Sequence, residues 1–449
     1  MDKSRQTLRL SQRDKDEILR QYRKLVDSQM YSRDYISENF PYSIRDDYQR
    51  DYGRVLYSPS FRRLQGKMQI LGINSAAFHR NRLTHSLEVC QIATSIAIEI
   101  AKTCNAPLMY AAKNNNAPND IFCLQAAALC HDIGHPAFGH SGERTLDNIA
   151  RNYGLRFEGN AQNYRVLRVL DKYDPEWKGL NLTHRTLLAI NKYNVKEDGN
   201  VKKFMFNNDY EALHEFREKV GLLHERTLDA QIIEVSDDIA YAVHDLEDAL
   251  ACRSFSIEEL CYILKRKLKD EEHSYKAFEE MIETAEKIAK SACSYHTPQE
   301  YSQVFRKKLT SLLTHKFIYD VTLGVVTHDE AVLHGTHDGV MEIRLGTIGP
   351  LCSNLKDAIF DCATREEDIM LYEKRGSVVI KSLFEALTNP EVNVNGKLLP
   401  PDYRNPDTPN YNVQGSIDFI AGMMDTFAIQ KYEELFGTKF DEIPISRKD

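Results

Sequence analysis

The sequence predicts a predominantly α-helical protein, all-α in class with one small β-hairpin. Three observations carry this. From Thr84 to Lys102 apolar residues recur at helical spacing, with Val89, Ile92, Ala93, Ile96 and Ile100 on one face. From Leu222 to Leu250 a longer run does the same through Leu228, Ile232, Val235, Ile239, Ala242, Leu246 and Leu250. Only Phe317–Thr347 alternates β-branched residues, with Gly324, Gly335 and Gly339 between them, and there the short hairpin is predicted.

The elements follow in order. A charged helix runs from about Ser11 to Asp27, then a loop with a turn at Pro41. Ser58-Pro59-Ser60 caps the next helix, which carries Phe61, Arg62, Arg63, Leu64 and Lys67. Arg62 and Arg63 read as partners of the acidic N-terminal region. Gly72–Ala77 is a turn or loop. His85 lies at the N-terminal end of the Thr84–Lys102 helix, and a polar excursion over 105–119 follows. Helices are expected at Phe157–Tyr173, at Asn181–Tyr193 opening with Thr183, and over Leu222–Leu250. Ser256–Ser291 divides into two charged amphipathic helices and Glu300–Thr314 forms another. Beyond the hairpin come Leu355–Asp361, Arg375–Leu387 and Ile417–Phe436. These group into an N-terminal helical segment (1–50), a core (51–250) and a C-terminal helical region (251–449).

Composition narrows the class. The 449 residues suffice for two to three domains or one large helical body, and 42% apolar content supports a sizeable core. Nine cysteines, an odd number without a CxxC, point to a reducing, cytoplasmic setting in which Cys123 and Cys130 simply pack. The N-terminus is charged throughout, unlike a signal peptide, and no 18-residue apolar run suggests a membrane span. A net charge of −8 argues against nonspecific nucleic-acid binding, so clustered basic residues point to a local anion.

The stretch that organises the rest is Cys123–Glu143, CLQAAALCHDIGHPAFGHSGE. An apolar run, Ala126–Cys130, ends in His131-Asp132, and Gly134 and Pro136 break the helix so that His135, His140 and Glu143 fold back over its end. The chain has four His-Asp dipeptides, at His131, His244, His328 and His337. The last two lie in the glycine-punctuated hairpin and read as surface residues; His131-Asp132 stands apart because it ends a buried helix. With His85 and one of Asp237 or Asp238 it makes a set of two imidazoles and two carboxylates. That set suits Mn²⁺, Mg²⁺, Fe²⁺ or Co²⁺ better than a thiolate-rich zinc site. Carboxylates at 237, 238 and 245 in so apolar a helix must be paired, coordinated or facing a cavity.

At this point the residues resemble the HD superfamily of metal-dependent phosphohydrolases. FRRLQGKMQ (61–69), NRLTHSLEV (81–89), HDIGHPAFGHSGE (131–143), FEGNAQN (157–163), GLNLTHRTLLAINKY (179–193), KKFMF (202–206) and DDIAYAVHDLEDA (237–249) are similar to the deoxyguanosine triphosphate triphosphohydrolases. DFIAGMMDTFAI (418–429) is a late block; residues 251–410 resemble nothing as clearly. The resemblance implies hydrolysis of a dNTP, dGTP favoured, to deoxynucleoside and inorganic triphosphate. It implies His85, His131, Asp132 and Asp237 as metal ligands, and His140 with Glu143 as a catalytic pair beside the α-phosphate, with His135 in the same pocket. Gln69 and Asp245 correspond to contacts with the sugar 3′-hydroxyl, and Tyr241 to the residue against the sugar ring at C2′. Arg82, Asn160, Lys192, Tyr193 and Lys203 correspond to triphosphate contacts. The i, i+4, i+8 spacing of Asp237, Tyr241 and Asp245, one face of a helix, supports this choice of Asp237.

The resemblance also implies a homo-oligomer, commonly a hexamer, with activation of some members by nucleotides or single-stranded DNA. This chain departs from the family's patterns at Asp238, where a vertebrate relative has a phosphate-contacting Lys, at Gly159, where that relative has a His, and at Thr426, where an Arg is frequent. Base selection is expected to depend on the unmatched half, around Tyr372–Arg375. Three other readings stand beside dGTP hydrolysis: a broad dNTP triphosphohydrolase, another HD-type nucleotide phosphohydrolase, and a regulatory nucleotide-binding protein with an inactive site.

Overall fold

The computed structural model describes residues 7–35, 44–69, 80–111, 119–172, 174–199, 201–291, 297–363, 367–404 and 412–444. The expected turns at Pro41 and Gly72–Ala77, and the middle of the polar excursion, lie outside them. The fold is helical, with one two-stranded antiparallel sheet among the described residues. None of the described helices is long and apolar enough to cross a membrane.

Three helices form the centre. Ile121–Cys130 is apolar on every side, and Leu124, Ala126, Ala127, Ala128 and Cys130 are fully buried, as an all-round hydrophobic helix requires. Arg82–Thr103 and Leu228–Cys252 pack across it. Asn81 starts the first with a reciprocal cap to Thr84, and the Thr227 side chain caps the second at Ala230 N. That cap places the start of the long helix at Leu228 rather than Leu222.

Two apolar clusters result. The larger joins the three central helices to the helices of residues 257–363. The smaller joins Gly139–Arg151 to Glu367–Thr388, Val413–Ala421 and Asp425–Phe436, with Met68 and Phe138 inserted. The expected Ile417–Phe436 helix is thus two helices, broken at Gly422–Met424. Phe157–Tyr173 likewise divides into Gly159–Arg165, capped by Glu158, and a π-turn over Val166–Leu170.

The strands β1 (Val321–Val325) and β2 (Met341–Leu345) pair from Val321 opposite Leu345 to Val325 opposite Met341. Their connection is no tight turn but a helix, His328–His334, opened by a capping box of Thr327 and Glu330 and ended by Gly335 at φ 66°. His328 and Asp338 beside this helix are exposed, as expected. Arg63 is a correction: it reaches Ser60 and Asp171, 3.8 Å away, not the N-terminal segment. Cys123 and Cys130 are buried free thiols.

Candidate functional site

A cavity of about 420 Å³ opens where the two apolar clusters meet. Every residue assigned to the site from the sequence lines it, except His85 and Glu143, which stand immediately behind its wall.

The metal-ligand candidates come from the three central helices. His131 caps the C-terminus of Ile121–Cys130, where unpaired carbonyls make the backbone partially negative and favour a cation. Its Nδ1 donates to Ala128 O at 2.7 Å, which leaves Nε2, without a protein hydrogen bond, as the nitrogen available to a metal ion. Asp237 Oδ1 lies 3.0 Å from His85 Nε2 and 3.5 Å from His131 Nε2. Ligand atoms of His85, His131 and Asp237 all lie within 4.8 Å of one another. The residues therefore fit a divalent ion: two imidazole nitrogens and a carboxylate converge in a space small enough for one. Burial lowers the pKa of His131, but Asp132 and Asp237 outweigh it and hold it at about 9, so the site favours a positive charge at Nε2, a proton or, in its place, a metal ion. Burial would raise that of Asp237, yet His131 and His85 hold it far below the carboxylate range. Asp132 is not part of this group. One of its oxygens accepts from Arg82, the other faces His135 Nδ1 at 2.9 Å, and His131 Nε2 is 3.9 Å away.

His140 and Glu143 stand on the helix Gly139–Arg151, to which the sequence reading assigned no element. His140 Nδ1 and Glu143 Oε2 are 3.1 Å apart, and the His140 side chain is 56% exposed toward the cavity mouth. Glu143 also accepts from Gly159 N at 3.0 Å. Burial opposes its ionisation, but His140, His135 and Lys203 hold its carboxyl well below the usual range. It is thus a fixed carboxylate that sets the orientation of the imidazole.

A cationic wall adjoins this pair, with Lys203 Nζ 3.6 Å from Glu143 Oε1. Lys203 Nζ donates to Glu158 Oε1 at 2.6 Å, and the same oxygen accepts from Asn160 Nδ2 at 2.8 Å. Lys192 Nζ lies 3.4 Å from Glu234, a carboxylate that is shared with Arg226. The Tyr193 ring sits between the two lysines, within 6 Å of both.

At the other end, Tyr241 lays its ring 4.7 Å from that of His85. Beside it, both amide atoms of Gln69 and Oδ2 of Asp245 are buried without a protein partner. Burial, with Asp248 and Glu88 near, pushes the Asp245 carboxyl well above its usual range. Buried polar atoms left unsatisfied cost about 1–3 kcal/mol each, so these atoms call for hydrogen bonds from water or from a ligand in the cavity.

The sequence reading missed Glu234, Lys356, Asp357, Phe360 and Ile369 on the cavity wall. Glu234 carries a signal in hindsight: it lies three residues before Asp237, on the same helix face. Of Tyr372–Arg375, Glu373 lines the cavity, whereas the Tyr372 hydroxyl turns to Asp425 at 3.1 Å. Asp425 is fully buried and also accepts from Met68 N and Phe138 N, each at 3.3 Å. Lys67, also buried, donates to His135 O and to Ala421 O, the latter at 3.0 Å.

Known proteins share this arrangement of segments. Residues 82–242 match the HD domain and residues 347–434 match the phosphohydrolase-associated domain. A Vibrio cholerae protein named deoxyguanosinetriphosphate triphosphohydrolase-like protein 2 is 39% identical over 88% of this chain and 89% of its own. Relatives with corresponding names from Shewanella woodyi and Deinococcus radiodurans are each 31% identical. They cover 88% and 89% of this chain and 93% and 94% of their own.

Proposed function

Because the chain belongs to the deoxyguanosinetriphosphate triphosphohydrolase-like family of HD-domain proteins, we propose that it hydrolyses a dNTP, dGTP foremost, to deoxynucleoside and inorganic triphosphate. The observation that carries the reading is the composition of a single cavity. In it or directly behind its wall stand a three-residue metal-ligand group, an imidazole–carboxylate pair, a cationic wall and a hydroxyl-sized set of unsatisfied polar atoms.

His85, His131 and Asp237 would hold the divalent ion, with Asp132 as the further ligand if its carboxylate turns from Arg82. Bound there, the ion would supply Lewis-acid polarisation of the phosphorus centre and ease deprotonation of water. Arg82, Lys192, Lys203, Asn160 and Tyr193 bind and orient the polyanion through charge-assisted hydrogen bonds. His140 moves a proton at the α-phosphate, and Glu143 fixes the nitrogen it presents. Gln69 and Asp245 satisfy their orphan atoms on the sugar 3′-hydroxyl. The Tyr241 ring stands where a ribose 2′-hydroxyl would need room.

Glu373 supports guanine among the bases. A carboxylate on the cavity wall, 29% exposed and 4.0 Å from Arg144, can accept from two adjacent N–H groups. Guanine presents such a pair at N1 and N2.

The test is product analysis. Purified protein with Mn²⁺ or Mg²⁺ is given each dNTP and GTP separately, and the products are resolved by ion exchange. Deoxyguanosine plus intact triphosphate from dGTP, with little from GTP, upholds the reading. Monophosphate plus pyrophosphate overturns it, and so does the absence of any turnover with a second dNTP present as activator.

A further inference from the structure

The cavity is acid-rich. Its wall carries seven carboxylate side chains, Asp132, Glu234, Asp237, Asp238, Asp245, Asp357 and Glu373, against four permanent cations, Arg82, Lys192, Lys203 and Lys356. A polyanion enters such a space only if the cations are placed where it lies and are free to exchange partners. The first three stand in ion pairs with Asp132, Glu234 and Glu158. Lys356 is built in the same manner, as its Nζ is paired with Asp238.

Lys356 belongs to the Gly349–Ala363 helix, far along the chain from the other three. Leu351, Leu355, Ala358 and Ile359 bury that helix in the larger core. Lys356, Asp357 and Phe360 remain on the side that lines the cavity. The Lys356 side chain is 34% exposed and that of Asp238 43%, so solvent in the cavity reaches both. Asp238 directly follows Asp237, so Lys356 stands beside the metal-ligand group, close enough to feel the Asp237 charge. An ammonium has three donors and can keep one on Asp238 while giving another to a phosphate oxygen.

We propose that Lys356 is a fourth cation for the substrate's triphosphate, with Asp238 as the counter-ion that holds it in place. This rests on the triphosphate reading above, and it adds a contact from the C-terminal half of the chain. Asp238 on this account tunes affinity: without its charge the ammonium is released entirely to phosphate.

The experiment is binding of inorganic tripolyphosphate to the full chain by calorimetry, with Mg²⁺ present, alongside inhibition of dGTP turnover by tripolyphosphate and by deoxyguanosine. Lys356→Met is expected to weaken tripolyphosphate at least tenfold and to raise KM for dGTP, with deoxyguanosine inhibition unchanged. Lys356→Arg restores most of the loss, and Asp238→Asn tightens tripolyphosphate binding. A merely structural pair gives another pattern, which would overturn the proposal. Lys356→Met and Asp238→Asn would then lower the melting temperature alike and leave tripolyphosphate affinity within twofold. If Lys356→Met does not fold, Asp238→Asn still decides: tighter tripolyphosphate binding upholds the proposal, and affinity within twofold of the wild type overturns it. If the wild type releases no triphosphate, the reaction reading fails, while calorimetry still judges Lys356 as a polyphosphate ligand.

Discussion

Substitution of Gly134 by Ala tests how tightly the metal loop is seated. A methyl at Gly134 would lie 2.1 Å from Asn163 N, 2.2 Å from Gly159 O and 2.5 Å from Asn163 Cα, all main-chain atoms of the Gly159–Arg165 helix. Ordinary contact begins near 3.4 Å, so the loop and that helix must separate by roughly 1.3 Å (3.4 − 2.1). Overpacking of this kind costs about 1–3 kcal/mol, and rigid backbone partners place it at the upper end. The same separation stretches the 2.8 Å bond from Asn163 Nδ2 to His131 O, worth about 1 kcal/mol. The total is about 3–4 kcal/mol. Gly154→Ala is the control. Gly154 has φ 69° with nothing within 4 Å of the added carbon, so only the left-handed backbone is strained, by about 1–2 kcal/mol. At about 2.1 cal/mol/K per residue, cooperative unfolding of the chain gives about 1 °C per kcal/mol, so Gly134→Ala lowers the melting temperature by about 3–4 °C. Metal affinity separates the two variants better. Displacing the support of a ligand costs roughly 10–100-fold, which calorimetric titration with Mn²⁺ reads directly for Gly134→Ala and not for Gly154→Ala. If Gly134→Ala melts with Gly154→Ala and binds Mn²⁺ as the wild type does, the loop is not seated against that helix.

Three further outcomes are expected. His85→Ala removes a proposed ligand rather than its support, so Mn²⁺ affinity in calorimetry falls by more than roughly 100-fold, and turnover is lost with it. Tyr241→Ala opens space beside the proposed sugar position, and the ratio of kcat/KM for dGTP over GTP falls about 10–100-fold in competition assays. Lys67 has its pKa depressed to about 7, first by burial and then by Arg63 and Arg82. The unfolded chain therefore holds that proton between pH 7 and its ordinary value of 10.5 while the folded chain has released it. Stability rises with pH through this window, by up to about 1.4 kcal/mol per unit. Urea unfolding of Lys67→Met at pH 7 and pH 9 shows that increment gone.

Where apolar spacing and chemistry coincide, the sequence is readable. His85, His131 and Asp237 sit at or near helix positions whose faces are marked by buried Ile, Leu and Ala, and these three converge. The Gly139–Arg151 helix was not readable, because glycines at 134, 139 and 142 look like loop. Gly142 is glycine for a packing reason: a side chain there would meet Ala137 O at 1.9 Å. The helix between β1 and β2 was hidden by glycines that end it rather than turn a hairpin. Glu234, Lys356 and Glu373 lie beside the site through packing between distant segments, and no local pattern records that. Asp132 carries the dipeptide's signature, yet it holds Arg82 and His135 instead of joining the compact ligand group.

Two buried ionisable groups outside the ligand set, Asp425 and Lys67, explain why the segment matching the HD domain does not make the site alone. Asp425, with its carboxyl raised to about 6 by burial, accepts from Met68 N, Phe138 N and Tyr372 OH. Each donor is adjacent in sequence to a cavity residue or nearly so: Gln69, Gly139 and Glu373. Phe138 is held at φ 60°, a left-handed conformation costly for a bulky side chain. Its bond to Asp425 and its ring against Phe440 are what fix it there. Lys67 adds the second tie, from the backbone of His135 to that of Ala421. The loop that carries His135 and leads into His140 is therefore shaped by contacts from residues 372–440. A chain cut after the long helix would keep the three metal-ligand candidates and lose the geometry of the groups proposed to act beside the α-phosphate. The C-terminal half contributes to the proposed chemistry through position as well as through Lys356 and Glu373.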